Sequence, residues 1–343
     1  MGNTIRVGVL STARINTLGI FKPCEKRSDI KVTAIASKNP QKAQQVAKEY
    51  GIENIFSNYN DLLSSDSVDA VYISLPNSYH FDFAKRALRA GKHVLCEKPI
   101  VLRAAELAVL RRIAYRKKVF LMDGLHYLYY EPLIHLMNKL PKYLNTTQPL
   151  KEFIKRVEAF IGFPYPKDKD DIRLNPYLDG GATAHLGCYV THFMTWLFPK
   201  AHWILSSANK MQSESRVDIE ADYLFKMQHN ENLDFSFKTS MNHSKIDSWV
   251  KIYTHKRCIT INHIFTPTSF YNTKNPGENL LSLEINAVQI ANAITPNNKK
   301  TTYDYQLDVF VRGIKHQIKQ QICVPSYKIL EKAYKIGVVN IKK

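Results

Sequence analysis

Apolar positions in the first third of the chain follow two alternating rhythms. Compact apolar runs at Ile5–Leu10, Lys31–Ala36, Ala70–Leu75, His93–Cys96 and Val119–Met122 have the length and character of buried strands. Between them, apolar residues return every three or four positions, as in Ala43, Val46, Ala47 and Tyr50, or Ala84, Ala87 and Leu88, which is the spacing of a helix face. Asn39-Pro40 opens the first of these as an N-cap with proline in the first turn, and Gly51 and Gly91 close the two helices. Strands separated by helical crossovers imply a parallel sheet with helices on both faces. From about residue 216 to 265 the rhythm changes: Tyr223–Met227 and Leu233–Phe237 alternate like half-buried strands of a second sheet.

In a parallel sheet of this kind ligands bind at the carboxyl ends of the strands. That places Ser11, Thr12, Ala13, Arg14 and Ile15, then Ser37 and Lys38, then Leu75, Pro76, Asn77 and His80, then Glu97 and Lys98 along one edge as the residues expected to bind a cofactor. The stretch HVLCEKP ends a strand in two opposite charges and a proline, which by itself also fits a solvated turn. A dinucleotide fingerprint would put glycines at positions 11, 13 and 16, where this chain has Ser11, Ala13 and Asn16. Small residues at 11 and 13 still let backbone approach a pyrophosphate. Where NAD sites carry an acidic residue for the ribose hydroxyls, the second strand ends in Ser37-Lys38. A hydroxyl followed by a cation suits a 2′-phosphate, so NADP(H) is expected over NAD(H). The plainer reading of this loop is a helix cap that contacts nothing.

A chain of 343 residues has room for two domains and two cores. The net charge of +18 raises nucleic-acid binding, but the densest basic stretch, Arg111 to Lys118, falls at the end of a helix, where cations complement the dipole. The other lysines are dispersed, so nucleic acid is not expected as a partner and anionic small ligands are. Cys24, Cys96, Cys188, Cys258 and Cys323 are scattered and read as reduced thiols, and no His/Cys cluster has zinc spacing, so no metal is expected. With no apolar signal core after Met1 and no run of membrane-spanning length, the expected compartment is the cytoplasm.

Glu97-Lys98-Pro99 closing a strand, about twenty residues after Pro76-Asn77-Ser78-Tyr79-His80 and followed much later by the glycine-led GGATAHLGCY, resembles the glucose-fructose oxidoreductase / inositol dehydrogenase / MocA family of NAD(P)-dependent oxidoreductases. Its dihydrodiol dehydrogenase-like and sugar-oxidoreductase members look most similar. The resemblance runs through IRVGVLSTARI, TAIASKNPQKAQQVAKEYGI, VDAVYISLPNSYHFDFAKRALRAGKHVLCEKP and LDGGATAHLGCYVTHFMTWLF in the family's order. It implies an α/β Rossmann domain with a doubly wound parallel sheet over 1–123. A C-terminal α+β domain with a large, mainly antiparallel open sheet is then expected over 124–343, for substrate binding and homo-oligomerisation as a dimer or tetramer.

In the family's pattern the lysine, here Lys98, meets the substrate hydroxyl beside the nicotinamide. An Asp-x-Gly-x-His/Tyr stretch supplies the acid/base, and here it reads His185-Leu186-Gly187-Cys188-Tyr189. Tyr189 takes the acid/base position and His185 stands where the family has Asp; histidine donates and accepts but brings no fixed negative charge. His192, one turn after Tyr189, and His126, in the aromatic run after Met122-Asp123-Gly124, are candidate substrate contacts. The family's arginine after that strand is missing. The expectation is an oxidoreductase moving a hydride between nicotinamide and a carbinol or ketone carbon of a sugar, nucleotide-linked sugar or cyclic diol. The competing expectation is a cofactor-binding homologue with weakened catalysis, acting as a sensor or assembly partner.

Overall fold

Six strands, β1 (Ile5–Leu10), β2 (Ile30–Ala36), β3 (Asn54–Phe56), β4 (Ala70–Ile73), β5 (His93–Cys96) and β6 (Leu121–Asp123), pair in parallel in the order β3-β2-β1-β4-β5-β6. The structure is a computed structural model and describes residues 4–147, 149–268, 278–290, 300–317, 322 and 324–336. Strand order reverses between β1 and β4, which opens a crevice at their carboxyl ends. The crossovers are α1 (Lys22–Glu25), entered through a π-helical turn at Thr17–Phe21, then α2 (Pro40–Tyr50), α3 (Tyr59–Ser64), α4 (Asn77–Arg89) and α5 (Ala104–Lys117). The Asn39 side chain accepts from the Lys42 N–H at 2.9 Å, and Gly51 ends α2 at φ 64°, as the sequence pattern requires. Edge strand β3 escaped the apolar pattern because its three residues are only partly covered.

The second sheet has eight strands. They are β7 (Arg156–Gly162), β8 (Trp203–Gln212), β9 (Asp218–Met227), β10 (Asn230–Ser240), β11 (Asp247–Tyr253), β12 (Cys258–Asn262), β13 (Ser282–Ile285) and β14 (Val288–Gln289). Their order is β14-β13-β12-β11-β7-β10-β9-β8, antiparallel throughout except between β7 and β10. Helices α6 (Glu131–Leu144) and α7 (Leu150–Phe153) precede it, and α8 (Ala182–Leu197) packs across β7, β9 and β10. Alternation places Ala221, Tyr223, Phe225 and Met227 of β9 inside while Asp222 and Lys226 face out. Nearly every side chain of α8 is buried, which explains why its sequence shows no polar face.

The last two helices part company. Helix α10 (Val324–Lys335) packs on α8, whereas α9 (Thr302–Lys315) joins the first sheet's unit, so the two compact units are 1–126 with 303–322, and 127–302 with 323–343. A division at 123 places α9 with the second sheet. Its apolar stripe instead sets Phe310 against Phe120, with ring centroids 6.0 Å apart, and Asp308 pairs with Arg27. Amphipathic spacing shows that a helix face is buried but not what covers it. Cys24, Cys96, Cys188 and Cys258 are reduced thiols, while Cys323 lies outside the described residues. Among the described residues no helix is long and apolar enough to cross a membrane, and no group of His, Cys, Asp and Glu could hold a metal ion.

Phe310→Ala is expected to cost about 3–4 kcal/mol, because a fully enclosed ring leaves a cavity that the surroundings fill only in part. Urea unfolding of the two proteins measures it; a loss below about 1 kcal/mol would mean that α9 adds little to its unit.

Candidate functional site

In the first unit the turn after β1 substitutes side-chain bonds for glycines. Ser11 adopts φ 109°, backbone that favours glycine, at the first fingerprint position. Its hydroxyl donates to the Ser74 carbonyl at 3.1 Å, lies 2.9 Å from the Ser74 hydroxyl, and accepts from the Ala13 N–H at 3.1 Å. The Asn16 amide donates to the Ser11 carbonyl at 2.9 Å. The shape asked of the glycine is therefore present, held across the β1/β4 crevice. Thr12, Ala13 and Ile15 are partly exposed there and Arg14 is exposed. Past β2, Ser37 is buried, accepting from the Asn39 N–H at 3.1 Å, and Lys38 is exposed.

After β4, Leu75 and Asn77 are buried and Pro76 partly so. His80 is buried with Nδ1 2.8 Å from the Pro99 carbonyl and Nε2 2.6 Å from the Leu75 carbonyl. The ring thus sits between the loop after β4 and the turn after β5, and its N–H donates to a carbonyl there. Glu97 is not solvated: the buried Tyr72 hydroxyl donates to its Oε1 at 2.6 Å and the Lys98 N–H to its Oε2 at 3.3 Å. Burial pushes the Glu97 carboxyl up, against the pull of the Lys98 charge and the Tyr72 hydrogen bond. Lys98 itself is half-buried at the strand end.

The exit of β6 runs flush against this turn. The Gly124 N–H donates to the Cys96 carbonyl at 2.7 Å, and a Cβ at 124 would stand 2.9 Å from that oxygen and 3.0 Å from the Glu97 Cα. The close approach delivers His126, buried, to the surroundings of Lys98. Burial and then the Lys98 charge push His126 down to about 3, so it is neutral at physiological pH. Its ring centroid lies 4.4 Å from that of Tyr303, which α9 brings from far along the chain. No sequence signal marked Tyr303. The neighbouring Tyr127 and Tyr130 of the second unit are fully buried packing residues.

In the second unit, α8 aligns His185, Tyr189 and His192 along one side at spacings of four and three. The Tyr189 ring centroid is 5.6 Å from that of Tyr127 and 6.0 Å from that of Phe265, and the Tyr127 hydroxyl lies 3.3 Å from His192 Nδ1. Burial pushes His192 down to about 4. The helix is gripped at its start: Asp218 Oδ2 accepts from the Thr183 N–H at 2.8 Å and from its hydroxyl at 2.6 Å, and the Tyr223 hydroxyl is 2.5 Å from the Thr183 hydroxyl. Gly181, at φ 112°, leaves room for this carboxylate, which a Cβ there would strike. Asp218 is a residue the sequence reading missed, since its role depends on a contact between β9 and α8. The first unit thus gathers the strand-end residues with His126, and the second gathers the three α8 residues.

Residues 5–125 match the oxidoreductase family with an NAD-binding Rossmann fold, and residues 153–260 match the C-terminal domain of the same GFO/IDH/MocA family, together more than half of the chain. The chain belongs to that family. A D-xylose 1-dehydrogenase (NADP(+)) of Haloferax volcanii is 36% identical over 182 residues, 53% of this chain and 54% of that protein, so the match spans about half of that relative. A dTDP-3,4-didehydro-2,6-dideoxy-alpha-D-glucose 3-reductase of Saccharopolyspora spinosa is 27% identical over 78% of this chain and 77% of its own. A 3-ketoreductase of Actinomadura kijaniata, solved with NADP and TDP-benzene, superposes with a TM-score of 0.79 at 24% identity, over 96% of this chain and 95% of that one, a likeness of fold.

Ser11→Ala removes three polar contacts but keeps the strained backbone, and is expected to cost about 1–2 kcal/mol. Ser11→Gly, though smaller, is expected to cost about 1 kcal/mol less, because glycine takes this conformation freely. Urea midpoints rank the two; alanine tolerated better than glycine would mean that the backbone at 11 is unstrained.

Proposed function

We propose that the chain is an NADP(H)-dependent oxidoreductase acting on a carbinol or ketone carbon of a sugar, nucleotide-linked sugar or cyclic diol. Family membership and the activities of the relatives support this class. The observation that carries it is Lys98, half-buried at a strand end with a buried carboxyl on one side and a buried, neutral imidazole coupled to it. The cofactor fits the first unit: the φ of Ser11 supplies the turn for its pyrophosphate, with Thr12 to Ile15 along the crevice, Ser37 and Lys38 at the ribose end, and Leu75 to Asn77 facing the same edge. His80 serves this edge by holding two loops together.

When bound, the nicotinamide exchanges a hydride with the substrate carbon, and this chain's residues handle the accompanying hydroxyl proton. The Lys98 ammonium donates to the substrate oxygen, stabilising negative charge as it develops. The Tyr189 phenol is the acid/base, passing a proton to or from that oxygen, with His185 and His192 as further hydroxyl partners. His126 keeps the surroundings of Lys98 free of a second positive charge. The partly covered outer face of the second sheet, where Trp249 stacks on Phe160 at 5.8 Å and Lys238 pairs with Glu220, is the surface for a second copy of the chain. The working compartment in this reading is the cytoplasm.

His185 in the place of an acid favours one alternative, a cofactor-binding homologue with weakened turnover. A screen of aldoses, dTDP-linked keto sugars and cyclic diols, followed by nicotinamide absorbance, separates the two: NADPH binding without turnover of any of them supports the alternative. For a substrate found, Lys98→Ala is expected to lower kcat at least about 100-fold while NADPH binding by fluorescence stays within about threefold. Wild-type turnover in Lys98→Ala would overturn the assignment of Lys98.

A further inference from the structure

Lys38, just past β2, holds its ammonium over the face of the Tyr79 ring, 5.7 Å from the centroid. Tyr79 stands in the first turn of α4 and is 40% exposed, a large aromatic side chain at the strand-end edge. It is propped from behind, since Phe83 meets it at 6.4 Å and 61°, and Tyr59 of α3 meets Phe83 at 5.0 Å and 83°. The ring therefore has a supported position at the ends of β2, β3 and β4. A supported, part-exposed aromatic ring takes a purine base by stacking once its face is cleared, and the cation over it takes a phosphate monoester.

We propose that Tyr79 is the stacking platform for the cofactor's adenine, and that Lys38 covers this platform until a 2′-phosphate draws it away. The inference rests on the NADP(H) reading and deepens it. A cofactor with a free 2′-hydroxyl has to displace the ammonium from the ring and offers it no anionic partner. A 2′-phosphorylated cofactor uncovers the ring and pairs the cation in one event. Selectivity then has two arms, an attraction for the phosphate and an obstruction against its absence. A surface lysine that merely pairs with a phosphate supplies only the first.

The test titrates wild type, Lys38→Ala, Tyr79→Ala and Tyr79→Phe with NADPH and NADH by nicotinamide fluorescence, and with 2′,5′-ADP and AMP by calorimetry. Lys38→Ala is expected to weaken NADPH and 2′,5′-ADP about tenfold or more, from loss of the charged hydrogen bond. The same change is expected to tighten NADH and AMP about two- to fivefold, because the ring is uncovered. Tyr79→Ala is expected to weaken all four about tenfold, and Tyr79→Phe to bind them as wild type does, which shows that α4 is intact. NADH and AMP bound no better by Lys38→Ala would overturn the covering role, and Tyr79→Ala binding as wild type would overturn the platform. Wild type binding none of the four would overturn the NADP(H) reading and this inference with it, whereas binding that is indifferent to Tyr79 overturns this inference alone.

Discussion

A carboxyl group taken out of water has to be met by donors fixed in advance, and the chain does this at the root of both of its candidate half-sites. Glu97 is held by the hydroxyl of Tyr72, a residue of β4 with no exposed surface. The turn that presents Lys98 is thereby bonded to the body of the parallel sheet and does not behave as a solvated loop. Asp218 is held by the first turn of α8, and burial pushes its carboxyl up against two hydrogen bonds from Thr183 and the charge of Lys210. Because that turn lies only two residues before His185, the same bonds that satisfy the acid also fix where the helix begins. In each unit the cost of burying an acid is offset by ordering the element that carries the candidate residues.

Much of the architecture could be read from the chain because strand and helix periods are local. The apolar runs, the Asn39 cap and the left-handed Gly51 depend on residues a few positions apart. Helix α9 shows the limit: its pattern demands burial, yet the ring that receives Phe310 belongs to Phe120. The candidate site divides in the same way. Glu97, Lys98, His185 and Tyr189 carry chemical types in recognisable order, so they were legible. Tyr303 and Asp218 act through contacts with distant elements, and no spacing in the sequence encodes those. Ser11 is intermediate: its place in the fingerprint was visible, but its φ of 109° depends on Ser74 across the crevice.

The charge balance around Lys98 can be followed within the first unit alone. His126 is the titratable ring coupled to the ammonium, and it is neutral because burial and the lysine both oppose a second positive charge. Glu97 is the adjoining carboxyl, and burial raises it while Lys98 and Tyr72 lower it. On balance the carboxyl is raised, because its burial outweighs the lysine charge and the tyrosine hydrogen bond.

The substitution at 185 is therefore best understood by what it changes on α8. An acid there would bring a fixed charge into a helix whose surroundings are apolar, whereas histidine brings a donor and an acceptor at lower desolvation cost. Burial raises the Asp171 carboxyl, but Arg173, which donates two hydrogen bonds of 2.8 Å to it, and to a smaller extent His185 lower it overall. Asp171 is thus met mainly by Arg173. Along the same side of α8, His192 is held neutral by burial, so His192 and Tyr189 offer hydrogen-bond donors and acceptors whose directions the helix fixes.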